Sequence, residues 1–182
     1  MSITCYLGSM FSGKSSQVIN EIERYNIAEI KTLMVKYLND NRYSSQNEIV
    51  THGQRVYSEK NGLIKSTNDL FTLDKYIYDS KIAVVGIDEF QFYSHPEYVT
   101  KWASSGIKII LSALDGDYKS EIFENVAYII PKCDRIKKLL AVCDKCKKNA
   151  IATRRINANT KRILIGGKES YVALCRKCAS WE

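Results

Sequence analysis

The sequence has few of the residues that mark disordered or fibrous proteins, with only 2 prolines and 9 glycines among 182 residues. It also lacks any run of about 18 apolar residues, the length that a membrane-spanning helix requires. The first ten residues, MSITCYLGSM, contain neither a basic region nor a long apolar region. We therefore expect no secretion signal and no membrane partner, and we expect a cytoplasmic protein.

What the sequence does have is a globular composition, with 45% hydrophobic and 26% charged residues, and a net charge of +7. A positive charge of this size suits a polyanionic partner, which could be nucleic acid or only the phosphates of a nucleotide. The basic residues are concentrated in residues 132–148 and 154–177 and form no single long run. This distribution favours a soluble protein with a phosphate site, and we expect no nucleic-acid partner.

Short apolar runs alternate with helix-like segments along most of the chain. Apolar side chains recur about once per helical turn in residues 14–28, and a second helix with an early proline is predicted for residues 96–104. Strands are predicted at residues 3–7, 32–35, 81–87, 107–111 and 126–130, with short ones near 55–57 and 63–64 in an otherwise polar region. Buried strands separated by helices predict an α/β fold with a mainly parallel sheet.

Residues 8–15, here called the glycine loop, read GSMFSGKS and match the phosphate-binding pattern G-x-x-x-x-G-K-[ST]. The pattern is short enough to occur by chance, as a glycine turn before a helix. An apolar strand precedes it and an amphipathic helix follows it, which is the arrangement that phosphate binding by backbone N–H groups requires. We therefore predict an α/β fold of the P-loop NTPase type. The predicted residues for ATP and Mg²⁺ are Gly8, Ser9, Met10, Phe11, Ser12, Gly13, Lys14 and Ser15.

Two carboxylates follow the apolar run VVGI, at Asp88 and Glu89. Ligands of an open parallel sheet bind at the carboxyl ends of its strands, so Asp88 is predicted to lie near Mg²⁺. Glu89 would point to the other side of an extended chain, where it could take a proton from an acceptor hydroxyl. Without the glycine loop, the pair would be an ordinary strand end.

Four of the six cysteines form two C-x-x-C pairs, Cys143 with Cys146 and Cys175 with Cys178. Two such pairs can complete a tetrahedral, structural Zn²⁺ site, although a redox dithiol or free thiols would give the same pattern. Cys5 and Cys133 lie in or beside apolar runs and are predicted to be core residues. We therefore predict a kinase-type domain over residues 1–141 and a small zinc-binding domain over residues 142–182.

Together these motifs resemble the type II thymidine kinases. The resemblance extends along nearly the whole chain and is strongest in six segments: GSMFSGKS at 8–15, KYLNDNRYSS at 36–45, IDEFQFY at 87–93, ALDGDYKSEIF at 113–123, LLAVCDKC at 139–146 and IGGKESYVALCRKC at 165–178. It implies an ATP-dependent transfer of phosphate to the 5′-hydroxyl of thymidine, and also of deoxyuridine, which gives dTMP for nucleotide salvage and DNA synthesis. It further implies a homotetramer, feedback inhibition by dTTP, and a lasso-like loop that closes over the nucleoside.

The resemblance also assigns residues position by position. Glu89 corresponds to the catalytic base, Asp40 and Arg42 fall in a flexible-loop motif that contributes to ATP binding, and Arg155 corresponds to a basic position near the phosphates. Residues of the nucleoside site that the resemblance implies are Met10, Phe92, Leu114, Tyr118, Phe123, Thr153, Arg162, Ile163, Leu164, Ile165, Gly166 and Tyr171.

The chain departs from the family pattern at several of these places. Phe90 and Asp117 stand where small residues are common, Tyr118 replaces a phenylalanine, and Arg162 stands where the lasso often has an aliphatic residue. Phe90 and Asp117 affect the expected pocket size rather than the reaction class.

Other functions remain open from the residues alone. A related kinase for another nucleoside would share these motifs, and a nucleic-acid-stimulated ATPase with a zinc ribbon would suit the charge. A zinc-stabilised nucleotide-binding module without catalysis is the third possibility. The absence of helicase-type motifs and the presence of Lys14 and Glu89 favour the nucleoside kinase.

Overall fold

The structure is a computed structural model that describes residues 2–40, 48–50 and 56–179. Arg42, which the sequence predicts as an ATP-binding residue, lies outside these ranges. No helix within the described residues is both long enough and apolar enough to cross a membrane.

A six-stranded parallel sheet forms the centre of the molecule, as the buried apolar runs predict. Its strands, in spatial order, are β5, β2, β6, β7, β1 and β8. Every neighbouring pair in this sheet is parallel. The strands span Ile3–Gly8 (β1), Thr32–Tyr37 (β2), Leu63–Thr67 (β5), Val84–Ile87 (β6), Lys108–Leu114 (β7) and Arg135–Leu139 (β8). A small antiparallel hairpin, Glu48–Val50 (β3) with Val56–Ser58 (β4), follows β2.

Helices cover both faces of this sheet. On one face, helix α1 (Lys14–Ile27) buries Val18, Ile19 and Ile22 against the sheet. Gly86 of β6 allows this close packing, because a Cβ atom there would lie 2.7 Å from the side chain of Ile22. The other face is covered by α2 (Asp74–Asp79), α3 (Glu97–Ser104) and α4 (Glu124–Ile129), and it contains the larger apolar core.

One predicted strand is wrong. Residues 126–130 belong mainly to α4, and Val126 and Ile129, three positions apart, are both fully buried on one helix face. The strand that does complete the sheet is β8, with the sequence RIKKL, and it was not predicted. It pairs with β1 on one side only, and four of its five residues are exposed, so it has no apolar run that would reveal it.

A smaller unit follows the central sheet. It contains two antiparallel pairs, Ala141–Val142 (β9) with Asn149–Ala150 (β10) and Ala152–Arg155 (β11) with Tyr171–Leu174 (β12), and the short helix Arg176–Ala179 (α5). Its core consists mostly of small side chains, namely Ala141, Cys143, Ala150, Ala152, Ala173, Leu174 and Ala179. So small a core suggests that the unit depends on another source of stability.

Candidate active site

The glycine loop connects β1 to α1 and bends sharply at two glycines. Gly8 has a φ of 155°, and a Cβ atom there would collide with the carbonyl oxygen of Leu139 and lie 2.8 Å from Ser12 Oγ. Gly13 precedes the helix with a φ of 81°, which glycine adopts more readily than other residues. The loop therefore leads directly into the N-terminus of α1, where backbone N–H groups lack partners within the helix.

Two polar side chains of the glycine loop suit a bound phosphate. Lys14 Nζ donates a hydrogen bond to the carbonyl oxygen of Ser9 at 2.8 Å, and only 7% of Lys14 is exposed. Ser9 Oγ is buried and has no hydrogen-bond partner among the described residues. Buried hydroxyls are usually paired, so a phosphate oxygen at this place would satisfy the group.

Asp88 lies just beyond the end of β6 and contacts the helix that follows the glycine loop. Its Oδ1 atom accepts a hydrogen bond from Ser15 Oγ at 2.9 Å and another from Ser112 Oγ. Burial, together with the neighbouring Glu89 carboxylate, raises the pKa of Asp88 to about 6, although both serine hydrogen bonds oppose the shift. A hydroxyl and a carboxylate beside a phosphate-type loop form the oxygen set that Mg²⁺ prefers.

Glu89 follows Asp88 but has different partners. Its backbone adopts the left-handed conformation, with a φ of 54°. Its Oε2 atom accepts a hydrogen bond from Gln91 Nε2 at 2.6 Å, while Gln91 Oε1 accepts one from the backbone N–H of Leu114 at 3.1 Å. Because the Leu114 N–H engages the amide oxygen, Gln91 presents its amide nitrogen to Glu89. Gln91, only 6% exposed, therefore holds the Glu89 carboxylate in place.

A cavity lies beside Glu89, with about 540 Å³ of empty space when the open solvent at its mouth is included. The walls are largely apolar and aromatic, with Phe92 and Phe123 meeting edge to face at 5.8 Å. All the residues that the family resemblance assigns to the nucleoside line it: Met10, Phe92, Leu114, Tyr118, Phe123, Thr153, Arg162, Ile163, Leu164, Ile165, Gly166 and Tyr171.

The segment between β11 and β12, residues 156–170, contains the positions that the resemblance assigns to the lasso, and we call it the lasso. Arg155 holds this segment through several hydrogen bonds. The Arg155 guanidinium donates hydrogen bonds to the carbonyl oxygens of Asn159, Lys161 and Arg162 and to the Tyr171 hydroxyl. Tyr171 in turn donates to the Leu164 carbonyl at 2.7 Å. The resemblance places Arg155 near the phosphates, whereas these bonds direct its charge to the lasso.

The four cysteines of the C-x-x-C pairs converge, and their sulfur atoms all lie within 4.8 Å of one another. Burial raises the pKa of Cys143, but backbone N–H groups of residues 146, 175 and 145 outweigh it and lower the pKa to about 6. Hydrogen bonding to the Cys175 and Cys146 sulfurs raises the pKa of Cys178 to about 12. Thiolates this close to one another would repel, which favours a protonated Cys178, and a divalent cation would relieve that repulsion, so the cluster could hold a metal ion.

The remaining predicted residues have varied positions. The side chain of Phe11 packs on the small core of the cysteine unit, and Asp40 lines the cavity. Sequence reasoning missed Gln91, although it lies only two residues after Glu89, and Ser112, a polar residue among the apolar residues 109–114 of strand β7. Tyr37 and Gly116 also line the cavity; both lie in segments that carry the resemblance, but neither was assigned to the site.

A parallel α/β sheet that carries a glycine loop, a lysine and two carboxylates at its strand ends defines the class of nucleotide-dependent phosphotransferases. Comparison with known proteins narrows this class to one family, because residues 1–179 match the family model "Thymidine kinase". The thymidine kinase of Variola virus is 37% identical over 177 residues, covering 97% of this chain and 95% of the relative.

Two further relatives agree. The thymidine kinase of Fowlpox virus (strain NVSL) is 34% identical over 180 residues, covering 97% of this chain and 96% of the relative. The thymidine kinase of Vaccinia virus (strain Western Reserve) is 36% identical over 177 residues, covering 97% of this chain and 95% of the relative. The chain therefore belongs to the thymidine kinase family and is an ATP-dependent kinase, as the resemblance in its motifs implies.

Proposed function

We propose that the protein transfers the γ-phosphate of ATP to the 5′-hydroxyl of thymidine, and of deoxyuridine, and thereby supplies dTMP for salvage and DNA synthesis. The observation that carries this proposal is the position of Glu89. Its carboxylate lines the cavity under the lasso, and the neighbouring Asp88 bonds to Ser15 of the glycine loop. An acceptor hydroxyl at Glu89 would thus lie close to the phosphates of ATP.

In this mechanism, Glu89 accepts the proton of the 5′-hydroxyl as the oxygen attacks phosphorus. Gln91 holds the carboxylate toward the cavity through its 2.6 Å hydrogen bond. Lys14, Ser9 and the N-terminus of α1 bind phosphate oxygens and neutralise their charge. Phosphoryl transfer depends mainly on such positioning and charge neutralisation, and it requires no covalent intermediate.

The base would lie between the lasso and the aromatic wall. Backbone groups of the lasso recognise the pyrimidine edge, so a wrong base would leave buried polar groups unpaired. Leu114 provides apolar surface for the 5-methyl group, and burial of that one carbon is worth about 1 kcal/mol. Because the advantage is so small, deoxyuridine should also be phosphorylated.

Two metal ions fit residues of this chain. Ser15 and Asp88 would hold the Mg²⁺ that accompanies ATP, which supplies charge stabilisation for the transferred phosphate. Cys143, Cys146, Cys175 and Cys178 would hold Zn²⁺ in a closed, structural site, because four sulfurs fill the tetrahedral coordination shell. We also propose the division into residues 1–141 and 142–182, which rests on the cysteine pairs. A homotetramer and inhibition by dTTP are proposed from the family alone.

A phosphorylation panel tests the function. Purified protein with ATP and Mg²⁺ is offered thymidine, deoxyuridine, deoxycytidine, purine deoxynucleosides and single-stranded DNA, and both nucleotide product and ADP are measured. We expect dTMP and dUMP to form, with little product from the other nucleosides. If thymidine is not phosphorylated while DNA stimulates ATP hydrolysis, the protein is instead a nucleic-acid-stimulated ATPase.

A further inference from the structure

Two residues that depart from the family pattern, Asp117 and Arg162, contact each other. They lie 45 positions apart in the chain, yet Arg162 Nε donates a hydrogen bond to Asp117 Oδ2 at 3.0 Å. The Asp117 side chain is only 2% exposed, whereas that of Arg162 is 43% exposed. Both residues line the cavity beside Glu89. The two substitutions are thus complementary in charge and form one ion pair.

Asp117 also shapes the segment in which it lies. Its second oxygen, Oδ1, accepts hydrogen bonds from the backbone N–H groups of Lys119 at 2.8 Å and Glu121 at 3.0 Å. The carboxylate is therefore fixed from its own side by two backbone donors, and only Oδ2 faces the lasso. A carboxylate held in this way presents a rigid acceptor to a guanidinium group.

Arg162 makes two further contacts with the same segment. Its Nη2 atom donates to the Ile122 carbonyl oxygen at 2.7 Å, and its guanidinium carbon lies 5.0 Å from the centre of the Phe123 ring. Three separate interactions thus join one lasso residue to residues 117–123, which form the facing wall of the cavity. An aliphatic residue at position 162 could make none of the polar ones.

We propose that the Asp117–Arg162 pair is a latch that holds the lasso across the cavity and sets how firmly the nucleoside is retained. The proposal rests on the proposed function in one respect, that the nucleoside occupies this cavity. The latch acts by positioning and takes no part in proton or phosphate transfer, because neither residue contacts Glu89 or the glycine loop through any hydrogen bond of the described residues. Its effect should therefore fall on nucleoside affinity.

The test uses the full-length protein and four variants. Arg162→Met keeps an unbranched apolar stem but removes the guanidinium. Asp117→Asn keeps an Oδ1 acceptor for the two backbone N–H groups while removing the charge. The double variant Asp117→Asn/Arg162→Met completes a cycle. Lys101→Met is the matched control, because it breaks another Lys/Arg–carboxylate pair, with Asp74 at 2.7 Å, on the surface of α3.

Three quantities are measured: steady-state kinetics with thymidine and ATP, the dissociation rate of thymidine, and hydrogen exchange of residues 156–165 without ligand. We expect each single variant to raise the thymidine KM and dissociation rate about tenfold, the usual scale for a charge-assisted bond. The ATP KM and kcat should stay within about twofold, and lasso exchange should accelerate. The double variant should resemble Arg162→Met, because that substitution already removes the interaction with Asp117.

The possible outcomes distinguish the latch from its alternatives. Lasso exchange that is as slow in Arg162→Met as in the wild type and in Lys101→Met would show that the pair is not a latch. Faster exchange with an unchanged thymidine KM would show that the latch has no role in nucleoside retention. If the effects of the two single substitutions on the thymidine KM multiply in the double variant, the two residues act independently, and the proposed pair would be contradicted. If the wild-type protein does not phosphorylate thymidine, the proposed function is wrong. The hydrogen exchange of residues 156–165 is measured without ligand, so it would still test the latch.

Discussion

The glycine loop and the lasso serve one cavity, but they are stabilised by different means. The loop follows a buried strand of the central sheet and precedes a helix that buries Val18, Ile19 and Ile22 in the core. The lasso lies within the unit whose core is mostly alanine, and it is held by Arg155, by Arg162 and by the four-cysteine cluster. The phosphate side thus depends on the whole fold, whereas the nucleoside side depends on a few replaceable polar contacts.

Removal of the metal should give the largest difference in effect between the two regions. Treatment with a zinc chelator, or the Cys146→Ser substitution, should abolish thymidine phosphorylation and the hydrogen-exchange protection of residues 141–179, because structural zinc stabilises small units that lack a core. The central sheet should keep its protection and its ATP affinity. Metal analysis of the untreated protein should give roughly one zinc per chain.

Cys133→Ser is the control, since Cys133 lies outside the four-cysteine cluster. Full activity and full protection in zinc-free Cys146→Ser protein would contradict the assignment of a structural metal.

Glu89→Gln should have the next largest effect. It removes the base but keeps a side chain of the same shape, so turnover should fall by roughly 10²-fold or more. ATP affinity, which belongs to the other region, should hardly change. The exposed Glu97→Gln at the start of α3 serves as the control in the same kinetic assay. Turnover equal to the wild type would remove Glu89 from the role of base.

Asp88→Asn should stabilise the ligand-free protein, although it lies in the site. The folded-state pKa of Asp88, about 6, exceeds the ordinary value of 3.8, so the ionised carboxylate opposes folding above pH 6 and has no such effect below pH 3.8. Asparagine retains an acceptor for the serine hydroxyls. The free energy of unfolding should therefore rise by up to about 3 kcal/mol at pH 8, with the gain lost toward pH 4.

Chemical denaturation at pH 8 and pH 4 measures this difference. A variant no more stable than the wild type at pH 8 would show that Asp88 carries no burial cost. Binding of MgATP should weaken in the variant in either case.

Gln91→Leu should give the smallest of these effects. Without the amide, the Glu89 carboxylate loses a donor and the Leu114 N–H loses its acceptor, so the base becomes less well positioned. We expect kcat to fall about tenfold, because small displacements of a reacting group are costly. The KM for ATP should stay unchanged. A tenfold rise in that KM instead would indicate a general structural role for Gln91.

How much the sequence predicted also differs between the two regions. Strand β1, helix α1 and the glycine loop were expected because burial imposes an apolar run and a helical period on adjacent residues. The same logic predicted a strand at residues 126–130, which is wrong, because a short apolar run fits a buried helix equally well. Strand β8 was missed because an exposed edge strand needs no apolar residues.

The lasso contacts follow no local pattern at all. The Asp117–Arg162 pair joins residues 45 positions apart, and Arg155 binds mainly carbonyl oxygens, which every residue possesses. The sequence could mark Asp117 and Arg162 only as two separate departures from a family pattern. Their contact became visible only when the fold brought the two segments together.

One hydrogen bond links the two regions directly, from the Met10 backbone N–H in the glycine loop to Thr153 Oγ1 in β11 at 3.0 Å. Met10 also lines the cavity beside Glu89, and its neighbour Phe11 packs on the core of the cysteine unit. Any shift that ATP imposes on this loop would therefore also displace residues that line the cavity. Thermodynamic linkage then requires reciprocity: if bound ATP strengthens thymidine binding by some factor, bound thymidine must strengthen ATP binding by the same factor.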